Sequence, residues 1–421
     1  MANIAILADD LTGACDTGVK LAHLGYDSQV LTSADGIGEI HRREHTYYTL
    51  NTNSRSLSPD KAYEVLRQVA QSLRSMDVSI CYKKIDSVVR GNIGSEIDAL
   101  LDVFGYEFSL IAPALPDNGR ALMDGIMYVT GNGTDYQFSA VEAVAATTKN
   151  PLAAVALAAV RSGETVVIET VNRLIAAGNR HIIADAVTEE DMATLAAVVR
   201  HYGDRILPAG SAGLAKHLFK QDCGEKTRLA LAPEAGCARP VVTIVGTRHP
   251  ATVAQVQLLR EAGNCRFVLF DTQELAYRSP EEIVAEVTAD LKPDSRIVVT
   301  TRRIYDGESH GASKTENISN DSIAETVARI TAEIMKQMDI QAVIASGGDT
   351  AARLLDRLGA VRLRLLAEPM EGVAIGLIAM EGDEGILIAT KSGGFGPPEA
   401  LAALAEYMAS AAVVHHNETN S

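Results

Sequence analysis

"IAILADDLTGACDTGVKLAHLG", residues 4–25, contains a short apolar run, two adjacent acids, a glycine turn and then a helical pattern. The apolar residues Ile4–Ala8 are continuous rather than alternating with polar ones. A continuous apolar strand that leads directly into a helix is typical of a parallel sheet covered by helices on both faces. This stretch therefore predicts one strand–helix unit of an α/β fold.

The same strand-then-helix unit recurs along the whole chain, which predicts an α/β protein with largely parallel sheets flanked by helices. Further strands are predicted at Thr46–Thr49, Ser79–Tyr82, Phe108–Ala112, His181–Ala184, Val241–Val245, Arg266–Phe270, Arg296–Thr300, Ala342–Ala345, Gly372–Leu377 and Gly385–Ala389. Helices are predicted over residues 61–75, 188–202, 251–262, 321–338 and 399–410.

The length of the chain predicts two domains, because 421 residues exceed the usual size of a single hydrophobic core. The segment "LAPEAGCARP", residues 231–240, has two prolines and a glycine, which is typical of a linker. We therefore expect an N-terminal domain over residues 1–232 and a C-terminal domain over residues 240–421, each built on its own sheet.

The composition limits the classes of ligand. A net charge of −16 disfavours binding to nucleic acid and to anionic membranes, because the protein's field repels polyanions. The N-terminus lacks the basic region of a signal peptide, and the apolar run at residues 151–160 is too short to span a bilayer. The five cysteines are scattered without a CxxC pair, which favours reduced thiols over disulfides or a zinc site. We expect a cytoplasmic protein with small-molecule ligands.

Two acids follow the first predicted strand, at the end where open parallel sheets bind their ligands. Asp9 and Asp10 precede the glycine turn and the helix. Adjacent carboxylates at a strand end suit proton abstraction or metal binding. The alternative is that one acid caps the helix while the other is solvated.

A cationic cluster follows another predicted strand. "YKKIDSVVRGNIG", residues 82–94, places Lys83, Lys84 and Arg90 around Asp86. Because successive side chains of a strand point to opposite faces, only one of the two lysines is expected to reach a given site. Arg90 has the forked geometry that suits a carboxylate or a phosphate. The alternative is a solvated run of charges.

Three glycine-rich loops in the second half each lie between a predicted strand and a predicted helix. They are Gly246–His249, Ser346–Thr350 and Lys391–Gly396. Glycine lets backbone N–H groups approach an anion, and a helix N-terminus adds partial positive charge. Together the loops predict a nucleotide triphosphate site, although any one of them alone also suits an ordinary turn. Neither a P-loop nor a dinucleotide fingerprint is present, which disfavours an oxidoreductase.

Taken together, these motifs resemble the four-carbon acid sugar kinase family. The resemblance covers nearly the whole chain and rests on "ILADDLTGACDTG", "YKKIDSVVRGNIGSEIDAL", "APALPDNGR", "PAGSAGLAKHL", "SGGDTA" and "TKSGGFG". It implies a sugar-acid-binding N-terminal domain, a nucleotide-binding C-terminal domain, and phosphorylation of the terminal (4-) hydroxyl of a tetronate or 3-oxo-tetronate by ATP. The forms "GACDTGVKLA" and "KKIDSVVRGNIG" favour D-threonate as the substrate, with 4-phospho-D-threonate as the product.

The resemblance also implies roles for individual residues. The sugar acid would contact Asp10, Arg55, Lys84, Asp86, Ser87 and Arg90, whereas ATP would contact Gly347, Gly348, Asp349, Thr350 and Gly393. Mg²⁺ is expected to bridge the phosphates, with no protein ligand assigned to it. Asp10 is the expected proton acceptor, with Asp86 in reserve.

One turn departs from the family pattern. Many members carry a Gly-Ser-Cys-Ser turn where this chain has Gly246–His249. The expected phosphate contact then passes to Thr247 or Thr252, or to Arg248 directly. We assign it to Thr247 and leave the other two open.

Two other functions would also account for these motifs. One is a 3-oxo-tetronate or erythronate 4-kinase, and another is a non-catalytic protein that binds a nucleotide or a sugar acid. A homo-oligomer is also compatible with the sequence.

Overall fold

The computed structural model describes residues 3–40, 46–130, 135–219, 228–233, 239–271, 279–288, 296–308, 320–338, 340–378 and 385–416. The contacts within the chain divide it into two compact units, Met1–Lys226 (the N-terminal unit) and Thr227–Ser421 (the C-terminal unit). Within the described residues, no helix is both long enough and apolar enough to cross a membrane.

The N-terminal unit alternates strands and helices. Its described strands are β1 (Asn3–Ala8), β2 (Asp27–Leu31), β3 (Thr46–Asn51), β4 (Val78–Lys84), β5 (Phe108–Ala112), β6 (Arg120–Met123), β7 (Ile126–Val129), β8 (Tyr136–Ser139), β9 (Leu152–Val155), β10 (His181–Ala184) and β11 (Ile206–Gly210). Its described helices are α1 (Leu11–His23), α2 (Pro59–Ser75), α3 (Ile93–Phe104), α4 (Ala140–Ala145), α5 (Leu157–Arg161), α6 (Glu164–Ala176), α7 (Glu189–Tyr202) and α8 (Ala212–Leu218).

The C-terminal unit follows the same alternation. Its described strands are β12 (Arg228–Pro233), β13 (Val241–Val245), β14 (Arg266–Phe270), β15 (Arg296–Thr301), β16 (Ala342–Ser346), β17 (Arg362–Met370), β18 (Val373–Ile378), β19 (Ile386–Lys391) and β20 (Ala411–His416). Its described helices are α9 (Pro250–Ala262), α10 (Pro280–Thr288), α11 (Arg302–Tyr305), α12 (Asn320–Met338), α13 (Gly348–Arg357) and α14 (Ala400–Ser410).

The main sheet of the N-terminal unit is parallel, in the order β2-β3-β1-β4-β11-β5-β10-β9. The chain leaves β1 towards one edge and later returns to β4 on its other side. Such a reversal opens a crevice at the carboxyl ends of the strands. β6, β7 and β8 form a separate antiparallel sheet that the apolar pattern does not predict.

The sheet of the C-terminal unit runs β14-β15-β13-β16-β19-β18-β17. It is parallel from β14 to β19, and the last two strands are antiparallel. The order reverses between β13 and β16, so this sheet also has a crevice at its carboxyl edge. The prediction of an α/β fold with largely parallel sheets is confirmed, and the predicted strands and helices are present with small differences at their ends.

Each unit has its own hydrophobic core, built mostly from Ala, Val, Ile and Leu. The helix that opens the chain shows how local sequence sets an element boundary. The Asp10 carboxylate accepts a hydrogen bond from the N–H of Gly13 at 2.8 Å, which caps α1 at its first turn. This cap fixes the position of Asp10 directly beyond the carboxyl end of β1.

Candidate functional site

Three neighbouring strands of the N-terminal unit bring charged side chains to one edge of the sheet. β1 leads into Asp9 and Asp10, β3 is followed by Arg55, and β4 is followed by Asp86. Because β3, β1 and β4 are adjacent and parallel, their carboxyl ends meet. Asp10, Arg55 and Asp86, three of the residues to which the resemblance assigns contacts with the sugar acid, therefore lie in one cluster.

Arg55 joins the two acids that follow β1. It donates to Asp9 through Nε at 2.7 Å and Nη2 at 2.9 Å, and to Asp10 through Nη1 and Nη2, both at 2.8 Å. Four of the five guanidinium N–H groups are thereby used. Arg55 therefore organises the two carboxylates, and one of its N–H groups is not used in these four bonds.

Asp9 and Asp10 differ in environment although they are adjacent. Asp9 is buried and Asp10 is partly exposed, so the alternative of a solvated second acid is wrong, whereas the helix cap by Asp10 is confirmed. Burial raises the pKa of Asp10 above its usual value despite the nearby Arg55. Burial also acts on Asp9, but the charges of Arg55 and Lys83 outweigh it and lower the pKa of that carboxyl.

Asp86 and Arg90 form a second ion pair on the same edge. Arg90 donates to Asp86 through Nε at 2.7 Å and Nη2 at 2.9 Å, and its backbone N–H adds a third bond at 3.2 Å. Burial opposes ionisation of Asp86, yet the charge of Arg55 and the bonds from Arg90 hold its pKa well below the usual range. The Arg90 side chain remains 63% exposed, although two of its guanidinium nitrogens bind Asp86.

The two lysines of β4 lie on opposite faces of the sheet, as strand alternation predicts. Lys83 Nζ lies 2.7 Å from Glu96 Oε2 on α3, and Lys84 lies beside Gly13 at the start of α1. Both lysines are buried, which contradicts the alternative of a solvated charge run. Lys84 is the one beside Asp10, whereas Ser87 lies half-buried in the turn after Asp86.

A buried chain of hydrogen bonds links Lys83 and Glu96 to the loop that follows β3. Glu96 accepts a bond from Ser54 Oγ at 2.7 Å, and Ser54 Oγ lies 2.8 Å from Thr52 Oγ1. Burial raises the pKa of Glu96, and Lys83 opposes that effect. The chain ties α3 and β4 to the loop that carries Arg55. Sequence reasoning missed Glu96, although a glutamate inside an otherwise apolar helix face was a usable signal.

Gly91 shows how closely this loop approaches the acids. Its φ is +94°, and a Cβ there would lie 3.3 Å from both Arg55 Cγ and Asp9 Oδ2. A side chain at this position would be strained and would crowd the Arg55–Asp9 pair. The glycine is therefore required by the conformation and by the space.

The three glycine loops of the C-terminal unit also meet at one edge. They follow β13, β16 and β19, which are adjacent and parallel. A Cβ at Gly393 would lie 2.7 Å from Thr247 Oγ1, and one at Gly347 would lie 3.3 Å from Thr247 Cβ. The structure thus places Thr247 between the loops that contain Gly347 and Gly393.

The loop after β16 opens directly into α13. Gly347 has a φ of +109° and precedes a helix start without a side-chain cap. The first N–H groups of α13 therefore have no capping side chain to satisfy them. Gly348 is half-buried, Asp349 is exposed and Thr350 is buried. This uncapped helix start is a site of partial positive charge.

Burial bears on which residue in or near the turn Gly246–His249 could contact a phosphate. Thr252 is fully buried and donates to the Gly393 carbonyl at 2.7 Å, so its hydroxyl supports the loop rather than facing a ligand. His249 caps α9 through the N–H of Ala251. Thr247 is half-buried and remains the hydroxyl of this turn that could meet a phosphate.

Lys391, which sequence reasoning left without a role, ends β19 beneath these loops. It is fully buried, and its ammonium donates to Ser392 O at 3.0 Å and to Thr252 Oγ1 at 3.2 Å. Burial lowers the pKa of Lys391 to about 7. A lysine at the end of the apolar run "ILIATK" was the signal that could have identified it.

Comparison with known family models gives the two units different ligands. Residues 4–218 match the family model of a sugar-binding N-terminal domain, and residues 242–401 match that of a nucleotide-binding C-terminal domain. A crystal structure from Haemophilus influenzae has the same fold, with a TM-score of 0.68 at 24% identity, covering 96% of this chain and 98% of that one.

Curated relatives align over nearly the full length. The D-threonate kinase of Bordetella bronchiseptica is 29% identical, covering 94% of this chain and 95% of that protein. The D-erythronate kinase of Heliobacterium modesticaldum is 27% identical, with 97% of each chain covered. The 3-oxo-tetronate kinase of Haemophilus influenzae is 28% identical, covering 93% of this chain and 97% of that protein. The chain belongs to the four-carbon acid sugar kinase family.

Proposed function

We propose that this protein is an ATP-dependent kinase that phosphorylates the 4-hydroxyl of a four-carbon sugar acid, with D-threonate as its substrate. Two D-threonate kinases, from Bordetella bronchiseptica and Salmonella typhimurium, are 29% and 28% identical to it over most of the chain. The N-terminal unit binds the acid and the C-terminal unit binds ATP. The observation that carries the proposal is the cluster of Asp10, Arg55, Asp86 and Arg90 at one sheet edge.

Arg90 is the residue that binds the substrate carboxylate. Asp86 uses two of the N–H groups on its guanidinium, which leaves three for a ligand. The side chain is also 63% exposed. A forked guanidinium pairs with a carboxylate through two parallel bonds, so it fixes orientation as well as position. Lys84 and Ser87 lie near the pair and complete the proposed contacts with the acid.

Asp10 accepts the proton from the reacting hydroxyl. Two carboxyl groups whose environments separate their pKa values divide the acid and base roles between them. The pKa of Asp10 is raised by burial, whereas that of Asp86 is held low by Arg55 and Arg90. The more basic carboxylate is the better proton acceptor near neutral pH. Asp86 is then the acid that holds Arg90 in place.

The loops of the C-terminal unit fit a nucleotide triphosphate. The uncapped start of α13 at Gly347 and Gly348 offers backbone donors to phosphate oxygens, and Thr350 lies in the same turn. Gly393 and Thr247 are packed against each other on the other side of the loop cluster. ATP supplies the phosphoryl group. Asp349 is the carboxylate of these loops, and its exposed position suits Mg²⁺ at the phosphates.

The alternative is a binding protein without catalysis, and the difference is measurable. Release of ADP is followed by a coupled assay with D-threonate, D-erythronate, L-erythronate and 3-oxo-tetronates as acceptors. We expect the highest kcat/KM with D-threonate and a product phosphorylated at the 4-position by NMR. Binding of an acid without any ADP release would contradict the kinase proposal. A higher kcat/KM for another acid would retain the kinase and replace the substrate.

A further inference from the structure

Lys391 differs from the other buried lysines in its partners. Lys83 is paired with Glu96 at 2.7 Å, and Lys84 lies beside the Asp10 carboxylate. Lys391 is just as buried, but the structure gives its ammonium only a carbonyl and a hydroxyl oxygen as partners. An ammonium buried without a counter-ion is costly, and most buried charges are paired. Within the part of the chain that the structure describes, no carboxylate neutralises it.

The contacts of Lys391 orient the backbone of the glycine loop. The Ser392 carbonyl accepts from Lys391 Nζ and also from the N–H of Phe395 at 3.2 Å. The peptide bonds are all trans among the described residues, and a trans peptide directs its C=O and the following N–H to opposite sides. Because the Ser392 carbonyl faces the buried ammonium, the N–H of Gly393 points away from it.

Thr252 orients the next peptide in the same way. Its hydroxyl accepts from Lys391 Nζ at 3.2 Å and donates to the Gly393 carbonyl at 2.7 Å. The Gly393 carbonyl is therefore also held on the buried side. The N–H of Gly393 lies on the opposite side, and a backbone N–H of glycine is a donor that an anion can approach closely. The buried ammonium lies on the other side of this peptide and adds a full positive charge to the site.

We propose that Lys391 is a positioning residue for the nucleotide phosphates: its ammonium fixes the peptide between Ser392 and Gly393 with its N–H towards the phosphate, and the phosphate is its counter-ion. This inference rests on the proposed role of the C-terminal unit in binding ATP. Lys391 does not touch the phosphate, because it is fully buried. It acts through the loop and through its charge, which burial in a low dielectric makes more effective.

A charge that acts in this way makes nucleotide affinity depend on pH. Burial lowers the pKa of Lys391 to about 7 in the free protein, and a bound anion raises it again because it favours the charged form. Affinity is then full below pH 7 and falls as the pH rises through the free and bound pKa values. The ionisable groups of the surrounding loops are Arg248, His249 and Asp349.

The test is direct titration of ADP into the full-length protein between pH 7 and pH 9, where imidazole and phosphate titration is nearly complete. For the wild type we expect affinity to fall about tenfold across this range, as the lysine loses its proton. Lys391→Met should bind ADP at least tenfold more weakly at pH 7, with no further fall towards pH 9. The matched control is Lys336→Met, which removes an exposed lysine of the same unit and should behave as the wild type.

The outcomes separate this inference from the proposed function. If the wild type binds ADP with a flat pH profile and Lys391→Met binds equally well, the role of Lys391 is overturned while the kinase stands. If the wild type binds neither ADP nor ATP, both fail. The wild-type profile needs no variant, so it decides the matter even if Lys391→Met does not fold. Thr252→Val gives a second reading, because it removes the hydroxyl bridge but keeps the charge: it should weaken binding and preserve the pH dependence.

Discussion

Lys83 and Lys391 lie at equivalent places in the two units and have opposite surroundings. Each lies at or next to the last residue of a parallel strand and is fully buried. Lys83 has a carboxylate partner in Glu96, whereas the partners of Lys391 among the described residues are all neutral oxygens. The N-terminal unit therefore neutralises its buried charge within the protein, and in the proposed function its exposed Arg90 binds the ligand. The C-terminal unit leaves a buried cation that an external anion can neutralise.

The largest expected effect is at Asp10, the carboxylate of the N-terminal unit that accepts the proton in the proposed function. We expect Asp10→Asn to lower kcat by about two to four orders of magnitude, the usual contribution of a general base. Asparagine keeps the cap of α1 but offers Arg55 one acceptor oxygen in place of two, so the melting temperature should fall moderately while the fold is kept. Steady-state kinetics and thermal unfolding measure the two effects. A variant that turns over at near the wild-type rate would remove Asp10 from the mechanism.

Breaking the buried ion pair between Lys83 and Glu96 should have the next largest effect, which is on the free energy of unfolding. Lys83→Met leaves Glu96 buried without its cation, which costs about 3–5 kcal/mol of unfolding free energy. The double variant Lys83→Met, Glu96→Gln should recover a large part of this loss, because no charge then remains unpaired. Urea unfolding followed by circular dichroism compares the two. If the single variant is as stable as the double variant, the pair does not neutralise the site as described.

The next prediction concerns Arg90, the exposed cation that is paired with Asp86 in the N-terminal unit. Arg90→Ala should raise KM for the sugar acid by about tenfold to a hundredfold, since hydrogen bonds to a charged group contribute about 1.5–3 kcal/mol. Stability should change by less than about 1 kcal/mol, because the pair with Asp86 is largely exposed on the arginine side. Arg67→Ala, which removes another surface arginine, is the control. An unchanged KM for the acid would place its carboxylate elsewhere.

The smallest effect concerns stability at Lys391. The folded pKa of about 7 lies below the unfolded value, so the unfolded chain binds more protons above pH 7 and stability rises with pH. Between pH 7 and pH 8 the wild type should gain about 1 kcal/mol relative to Lys391→Met. Urea unfolding of both proteins at the two pH values measures this difference. A stability difference that does not change between the two pH values would contradict this, because the lysine would then stay protonated in the folded protein, as it would with a counter-ion.

Much of the architecture could be predicted because it depends on local pattern. The continuous apolar strands and the helices that follow them are visible in the sequence, and parallel order then brings the strand ends together. The antiparallel strands β6–β8 and β17 were missed, since short or mixed patterns do not reveal their partners. Their pairing depends on contacts that no short window of sequence contains.

The sequence predicts which residues lie at the candidate site but not which of them form ion pairs. The sequence identifies Asp10, Asp86 and Arg90 by their places after strands. It does not reveal that Arg55 donates most of its N–H groups to Asp9 and Asp10, because those hydrogen bonds join residues 45 and 46 positions apart. Glu96 and Lys391 were missed for a related reason: a charge within an apolar segment acquires a role only once its surroundings are known.

The most direct measurement is a binding matrix of two ligands against two variants. D-threonate and ADP are each titrated calorimetrically into the wild type, Arg90→Ala and Lys391→Met at pH 7. If the units divide the chemistry as proposed, Arg90→Ala weakens only D-threonate binding and Lys391→Met weakens only ADP binding. The opposite pattern, in which Arg90→Ala weakens ADP binding and leaves D-threonate binding intact, would contradict that division.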